Sequence, residues 1–144
     1  MNSIRSAMIY GMVFVTCLAG CTSIEPTQPN SSLHPVTVTI YRDSALQGSL
    51  SYAYVGWDNK YYNKLATKQY TVFSVPEGLQ EFRVKAHADV ANQLTLSVSR
   101  HSSICLMVRV NPENIVGVNW LVPSYELKQI ECLSSQKIDA YEKV

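Results

Sequence analysis

From Val36 onward this chain alternates. Val36, Val38 and Ile40 are interleaved with Thr37, Thr39 and Tyr41. Successive side chains of an extended strand point to opposite faces, so period two among β-branched residues marks a strand with one buried face. The period returns in 51–57, where Tyr52 and Tyr54 share one face and Ala53, Val55 and Trp57 the other. Asp58-Asn59 then supplies a turn that tolerates positive φ, and 60–65 is its return strand. Tyr70 to Val75 is the next strand. Pro76-Glu77-Gly78 follows, with proline fixing φ and glycine permitting a left-handed residue. Further strands are predicted at 80–88, 93–99, 103–110, 115–121 and 125–132. No stretch after residue 35 carries a helical stripe, and 135–143, with Ile138 and Tyr141, offers a terminal turn at most. Short strands between regular turns point to a sandwich or barrel. The expectation is an all-β fold, a single antiparallel β-sandwich over 36–133, followed by a C-terminal tail over 134–144.

The first twenty residues are of another kind. One base, Arg5, precedes an apolar stretch from Ala7 to Ala19. That stretch fits the ~7–15 residues of a signal h-region and falls short of the ~20 needed to span a bilayer. It ends in Leu18-Ala19-Gly20-Cys21, which resembles the lipobox of bacterial lipoproteins. Small residues before the cysteine admit a peptidase, and a thiol can accept diacylglycerol as a thioether. The resemblance implies a signal peptide over 1–20 and lipidation of Cys21, with diacylglycerol and an acyl chain such as palmitate attached covalently. Each buried CH₂ contributes roughly 0.8 kcal/mol, so two or three chains hold a protein to a membrane effectively permanently. Thr22 and Ser23 follow, where lipoproteins retained in the inner membrane typically carry aspartate. By that sorting rule the expected location is the bacterial outer membrane of a Gram-negative host, facing the periplasm.

Residues 21–35 read as the lipidated cysteine and a flexible tether. Pro26, Pro29 and Pro35 lie among polar residues with little to bury. Fully extended, this segment reaches ~45 Å at most. The whole chain has 12 basic and 11 acidic residues, and loss of Arg5 with the leader balances them. Such a neutral, evenly mixed domain has no electrostatic footprint for nucleic acid. Of four cysteines, Cys17 leaves with the leader and Cys21 is lipidated. Cys105 and Cys132 remain, an even pair in an oxidising compartment. Antiparallel pairing of 103–110 with 125–132 brings them face to face as a disulfide. The alternative is two small buried thiols.

Several short motifs, in order, resemble a family of uncharacterised bacterial lipoproteins whose domain is related in style to PEGA-type, Ig-like β-sandwich modules. They are Ile40-Tyr41-Arg42, the stretch from Gly48-Ser49 to Tyr54, the hairpin Val55 to Lys60, Lys64-Leu65, Val75-Pro76-Glu77-Gly78 and Leu94-Thr95-Leu96-Ser97-Val98. The resemblance runs from Val36 to Cys132. It departs at Glu77, where the family has a second proline, at Asn59 and Thr67-Lys68-Gln69, where it favours glycine, and at Arg100-His101-Ser102. These departures bear on loop geometry. The resemblance implies a fold and a location, and no activity.

Residues for chemistry are scattered. His34, His87 and His101 show no metal-type spacing. There is no Gly-x-Ser-x-Gly elbow, no phosphate loop and no Cys-x-x-Cys. A triad of Ser103, His101 and Asp89 has nothing in its spacing to favour it. Asp43, Asp58, Glu81 and Asp89 form no recognisable acid/base pair. No catalytic residue, metal or dissociable cofactor is therefore expected. The aromatics are the feature with binding potential. Tyr52, Tyr54, Trp57, Tyr61 and Tyr62 crowd one hairpin, and Trp120 lies on a later strand. Exposed, they stack on sugars or anchor a protein; buried, they fill the core or pair across strands. Of Tyr61 and Tyr62 at least one faces outward, so the expected binding patch is Tyr54, Trp57, Tyr61 and Tyr62. The expectation is a non-enzymatic interaction or scaffold module for a periplasmic protein or peptidoglycan. A carrier of a small apolar ligand, and a hydrolase or metal enzyme with a spatially assembled site, are the alternatives.

Overall fold

The computed structural model describes residues 35–43, 51–114 and 121–144. Eight strands fall where the alternation puts them: β1 (Val36–Arg42), β2 (Ala53–Trp57), β3 (Lys60–Leu65), β4 (Gln69–Val75), β5 (Gly78–Lys85), β6 (Asn92–Val98), β7 (Ile104–Val110) and β8 (Tyr125–Ile130). A single helical turn, α1 (Ser135–Ile138), and a short strand, β9 (Glu142–Lys143), follow. The strand expected at 115–121 lies almost wholly outside the described residues.

Two sheets pack face to face, with strand orders β8-β7-β1-β4-β9 and β3-β2-β5-β6. The chain is an all-β sandwich. Most neighbours are antiparallel, but β1 pairs with β7, and β4 with β9, in parallel. Parallel neighbours need a crossover. The β1–β7 crossover is the passage through the second sheet, which the chain enters twice before β7 returns beside β1.

Local chemistry explains the turns. Asp58 and Asn59 both have positive φ, 50° and 60°. A two-residue turn that matches the twist of a hairpin requires this, and Asp and Asn tolerate it. Gly78 sits at φ 112°, open only to glycine, and starts β5 directly after Pro76-Glu77. β5 ends at Lys85 rather than at 88, because the chain turns through Ala88 at φ 56°.

The core is the alternating set of both inner faces. Val38, Ile40, Val55, Phe73, Phe82 and Val84 are fully buried between the sheets. Burying a side chain of this size stabilises the fold by ~1.5–3 kcal/mol. Asn92 on β6, and Asp89 in the connection before it, take up backbone groups beside the first sheet. Asn92 Oδ1 accepts from the Leu127 N–H at 2.9 Å, and Asp89 Oδ2 from the Ser124 N–H at 2.8 Å. These side chains tie the β8 edge to β6 and satisfy donors that an open edge would leave exposed.

β7 departs from simple alternation: Ile104 to Val108 are all buried. Ile104, Leu106 and Val108 face the core. Cys105 and Met107 face outward beside Tyr41 and meet a second cluster made of Tyr70, Ile130, Leu133, Ile138 and Tyr141. Residues 131–144 thus cover the outer face of the first sheet. Tyr141 packs edge-on against Tyr41 at 5.5 Å between ring centroids, and Tyr70 lies 5.6 Å from Tyr41. Backbone bonds from Glu142 to Lys68 and from Val144 to Tyr70, both 2.9 Å, seat β9 along β4. The segment read from sequence as a tail packs on the domain as a strap.

Candidate interaction face

The expected aromatic patch divides in two. Trp57 and Tyr62 are each 4% exposed and belong to the core. Their rings lie 6.0 Å apart, and Tyr62 reaches Phe73 at 5.9 Å. The reason is register. Trp57 shares the parity of Ala53 and Val55, and a bulge in the β2–β3 pairing at Val55/Gly56 inserts one residue on β3. Tyr62 is that extra residue, and it turns inward. As a surface patch, the set is corrected to its other two members, Tyr54 and Tyr61, with Tyr52 beside them.

These tyrosines lie on the outer face of the four-stranded sheet. Tyr54 on β2 is flanked by Lys64 on β3 and Lys85 on β5. One row along, Tyr61 on β3 faces Gly56 on β2, which in turn faces Arg83 on β5. Gly56 has no side chain to fill the middle of that row. The Tyr61 ring and the β5 cations meet over this row, with Lys85 Nζ 4.9 Å and the Arg83 guanidinium carbon 5.9 Å from its centroid. Lys64 Nζ stands 4.8 Å over the Tyr52 ring. Each pairing is a cation–π contact at a half-exposed site, worth about 0.5–1 kcal/mol. Burial pushes the Tyr61 hydroxyl above the ordinary tyrosine range, partly offset by Arg83.

The outward positions of β2, β3, β5 and β6 among the described residues carry three cations, Lys64, Arg83 and Lys85, against one carboxylate, Glu81. Glu81 is engaged by Arg83 at 2.7 Å. The neighbouring β6 positions, Gln93, Thr95 and Ser97, are neutral. His87 is exposed at the end of this face, with its ring 6.2 Å from Tyr54. The result is a tyrosine-bearing face of positive sign on a domain whose charges balance as a whole.

Cys105 and Cys132 form a disulfide, with Cα atoms 5.1 Å apart. The expected pairing of β7 and β8 is antiparallel, but Cys105 stands opposite Ile130. The bond therefore runs diagonally to a residue just beyond β8. It closes 27 residues and fixes the root of the C-terminal strap. Cys21, His34 and Trp120 lie outside the described residues.

The triad weighed from sequence, Ser103, His101 and Asp89, is not brought together. His101 and Ser103 lie after β6 and Asp89 before it, at opposite ends of that strand. Asp89 holds the Val90 and Ser124 N–H groups, each at 2.8 Å. Among the described residues no three His, Cys, Asp or Glu side chains gather as metal ligands.

One buried polar group escaped the sequence reading. Arg42 continues the inward parity of Val38 and Ile40 and is 3% exposed. Its guanidinium donates to the Leu65 carbonyl and, at 2.9 Å, to the Tyr125 hydroxyl. That hydroxyl also meets Ser51 Oγ at 2.5 Å. Burial lowers the Arg42 pKa from its ordinary value. The arrangement ties β1, β3 and β8 together at one end of the sandwich. Its signal was present in the sequence, as an arginine at an inward position of a strongly alternating strand.

The fold and face together define a small all-β sandwich with a tyrosine–cation surface. Comparisons with protein-family models, with curated proteins and with solved structures find no match for this chain.

Proposed function

We propose that this protein is a lipid-anchored envelope lipoprotein of PEGA-like type, acylated on Cys21 and held at the outer membrane facing the periplasm. On this reading its sandwich is a non-enzymatic interaction module, presenting one sheet face to a periplasmic protein or to peptidoglycan. The observation that carries the interaction reading is the outward placement of Tyr54 and Tyr61 among Lys64, Arg83 and Lys85. Tyrosine presents a large rigid surface with a polar tip, at low entropic cost, and suits a binding face. A carrier for an apolar ligand would need room between the sheets, where Phe73, Phe82 and Leu106 already pack. The lipobox at Leu18-Ala19-Gly20-Cys21 supports the anchor.

Labelled palmitate tests the anchor. The account expects label on the wild-type protein and none on Cys21→Ala, with the substituted chain washing out of spheroplasts. An unlabelled wild-type chain that also washes out would overturn it. In-cell crosslinking with mass spectrometry, on both chains, then identifies the neighbours of the module.

A further inference from the structure

The outer face of the β3-β2-β5-β6 sheet has a sign and a texture. Lys64 and Lys85 flank Tyr54 across adjacent strands, so their backbones stand roughly 10 Å apart. The Tyr61 ring meets Arg83 and Lys85 from β5. The face carries one carboxylate, which is already paired with Arg83. Two kinds of recognition are thus interleaved. The tyrosine rings offer flat apolar surface to the C–H face of a sugar. The ammonium groups of Lys64 and Lys85 offer charge-assisted donors to carboxylates.

We propose that this face binds a carboxylate-bearing glycan, and specifically peptidoglycan, with sugar rings on Tyr54 and Tyr61 and carboxylates on Lys64 and Lys85. The proposal rests on the envelope reading above and names the partner of that same face. Charge complementarity selects an anionic ligand over a neutral one. The tyrosines select a polymer with ring faces over a plain acidic peptide. Peptidoglycan joins amino-sugar rings to stem peptides that bear free carboxylates, and so supplies both. Residues 22–35, fully extended, span at most ~45 Å, which limits an anchored domain to partners close to its membrane.

The test is co-sedimentation of the full chain, in detergent micelles, with purified peptidoglycan sacculi. The wild-type chain is expected to pellet with sacculi, and less so as salt is raised. Chitin, a neutral amino-sugar polymer, and polyglutamate, an acidic polymer without sugars, are each expected to bind at least about tenfold more weakly. Lys64→Glu with Lys85→Glu, and separately Tyr54→Ala with Tyr61→Ala, are each expected to raise the apparent Kd about tenfold or more while the circular dichroism stays unchanged. Retention of full binding by either folded double variant overturns the assignment to this face. Equal binding to chitin overturns the role of charge, and equal binding to polyglutamate overturns the role of the rings. Failure to pellet with sacculi overturns the partner while leaving palmitate on Cys21 unaffected. An unlabelled Cys21 whose chain still pellets overturns the anchor alone.

Discussion

Tyr61 stands opposite Gly56 across the β2–β3 hairpin, and its backbone, with that of Lys60, occupies the space that any side chain at residue 56 would need. A Cβ at Gly56 would lie 1.9 Å from the Lys60 carbonyl oxygen and 2.7 Å from the Tyr61 Cα. Those are backbone atoms of a bulged hairpin and cannot swing away. The glycine thus serves the fold and the face together. It allows the bulge that turns Tyr62 into the core, and with it the register that leaves Tyr61 on the outer face. Gly56→Ala is expected to cost at least about 1–3 kcal/mol, through forced displacement of the hairpin. Urea denaturation checks this, and an unchanged midpoint would contradict the close approach.

The inner and outer aromatics of the hairpin should respond differently. Trp57→Ala empties a buried site and is expected to destabilise by about 3–5 kcal/mol. Tyr54→Ala lies on the outer face and is expected to stay within about 0.5–1 kcal/mol of wild type. Denaturation midpoints of the two variants, measured side by side, separate core from surface.

Arg42 is expected to be costly to remove. Arg42→Ala leaves the Leu65 carbonyl and the Tyr125 hydroxyl each short of a buried donor. One unsatisfied buried group costs about 1–3 kcal/mol, and lost packing of the Arg stem adds to it. Arg42→Met keeps the stem and is expected to recover part of the loss. If both variants match wild type in urea, the guanidinium does not tie β1 to β3 and β8.

The strap should be governed by its disulfide. Closing 27 residues contributes about 3–4 kcal/mol in the chain-entropy account. Reduction, or Cys132→Ser, is expected to lower stability by up to that amount. It should also open residues 133–144 to limited proteolysis before the sandwich is cut. Simultaneous loss of strap and sandwich would show that the strap is not a separable layer.

Alkaline pH should loosen the same region. Burial raises the pKa of Tyr41, with Tyr70 and Tyr141 adding to the effect, and burial followed by the Asp43 charge raises that of Tyr141. In the unfolded chain both ionise near ~10. The folded state therefore keeps protons that the unfolded state releases. The stabilisation is fully present below about pH 10 and is lost as pH rises through the higher folded values. Tyr41→Phe with Tyr141→Phe is expected to flatten the fall in stability above about pH 10. A fall as steep as that of wild type would contradict the assignment.

The strands were legible because a sandwich strand writes its burial at period two, as Val36, Val38 and Ile40 do. Parity alone also told that Trp57 faces inward with Ala53 and Val55. The clustering of aromatics on one hairpin argued the other way, and parity prevailed. Tyr62 was not legible, because its orientation depends on a bulge set by the cross-strand partner. The strap was not legible either. β9 is two residues long, and its pairing with β4 depends on contacts some seventy residues away in sequence. The positive face was hidden by overall neutrality: Lys64, Arg83 and Lys85 converge only once β2 and β5 become neighbours.

The most direct measurement is sidedness in the cell. A photo-crosslinking residue is placed at Tyr61, on the tyrosine–cation face, or at Lys128, across from Met107 on the outer side of the other sheet. The account predicts abundant peptidoglycan-linked adducts from Tyr61 and few from Lys128. Equal yields from both positions, or adducts from Lys128 alone, would contradict it.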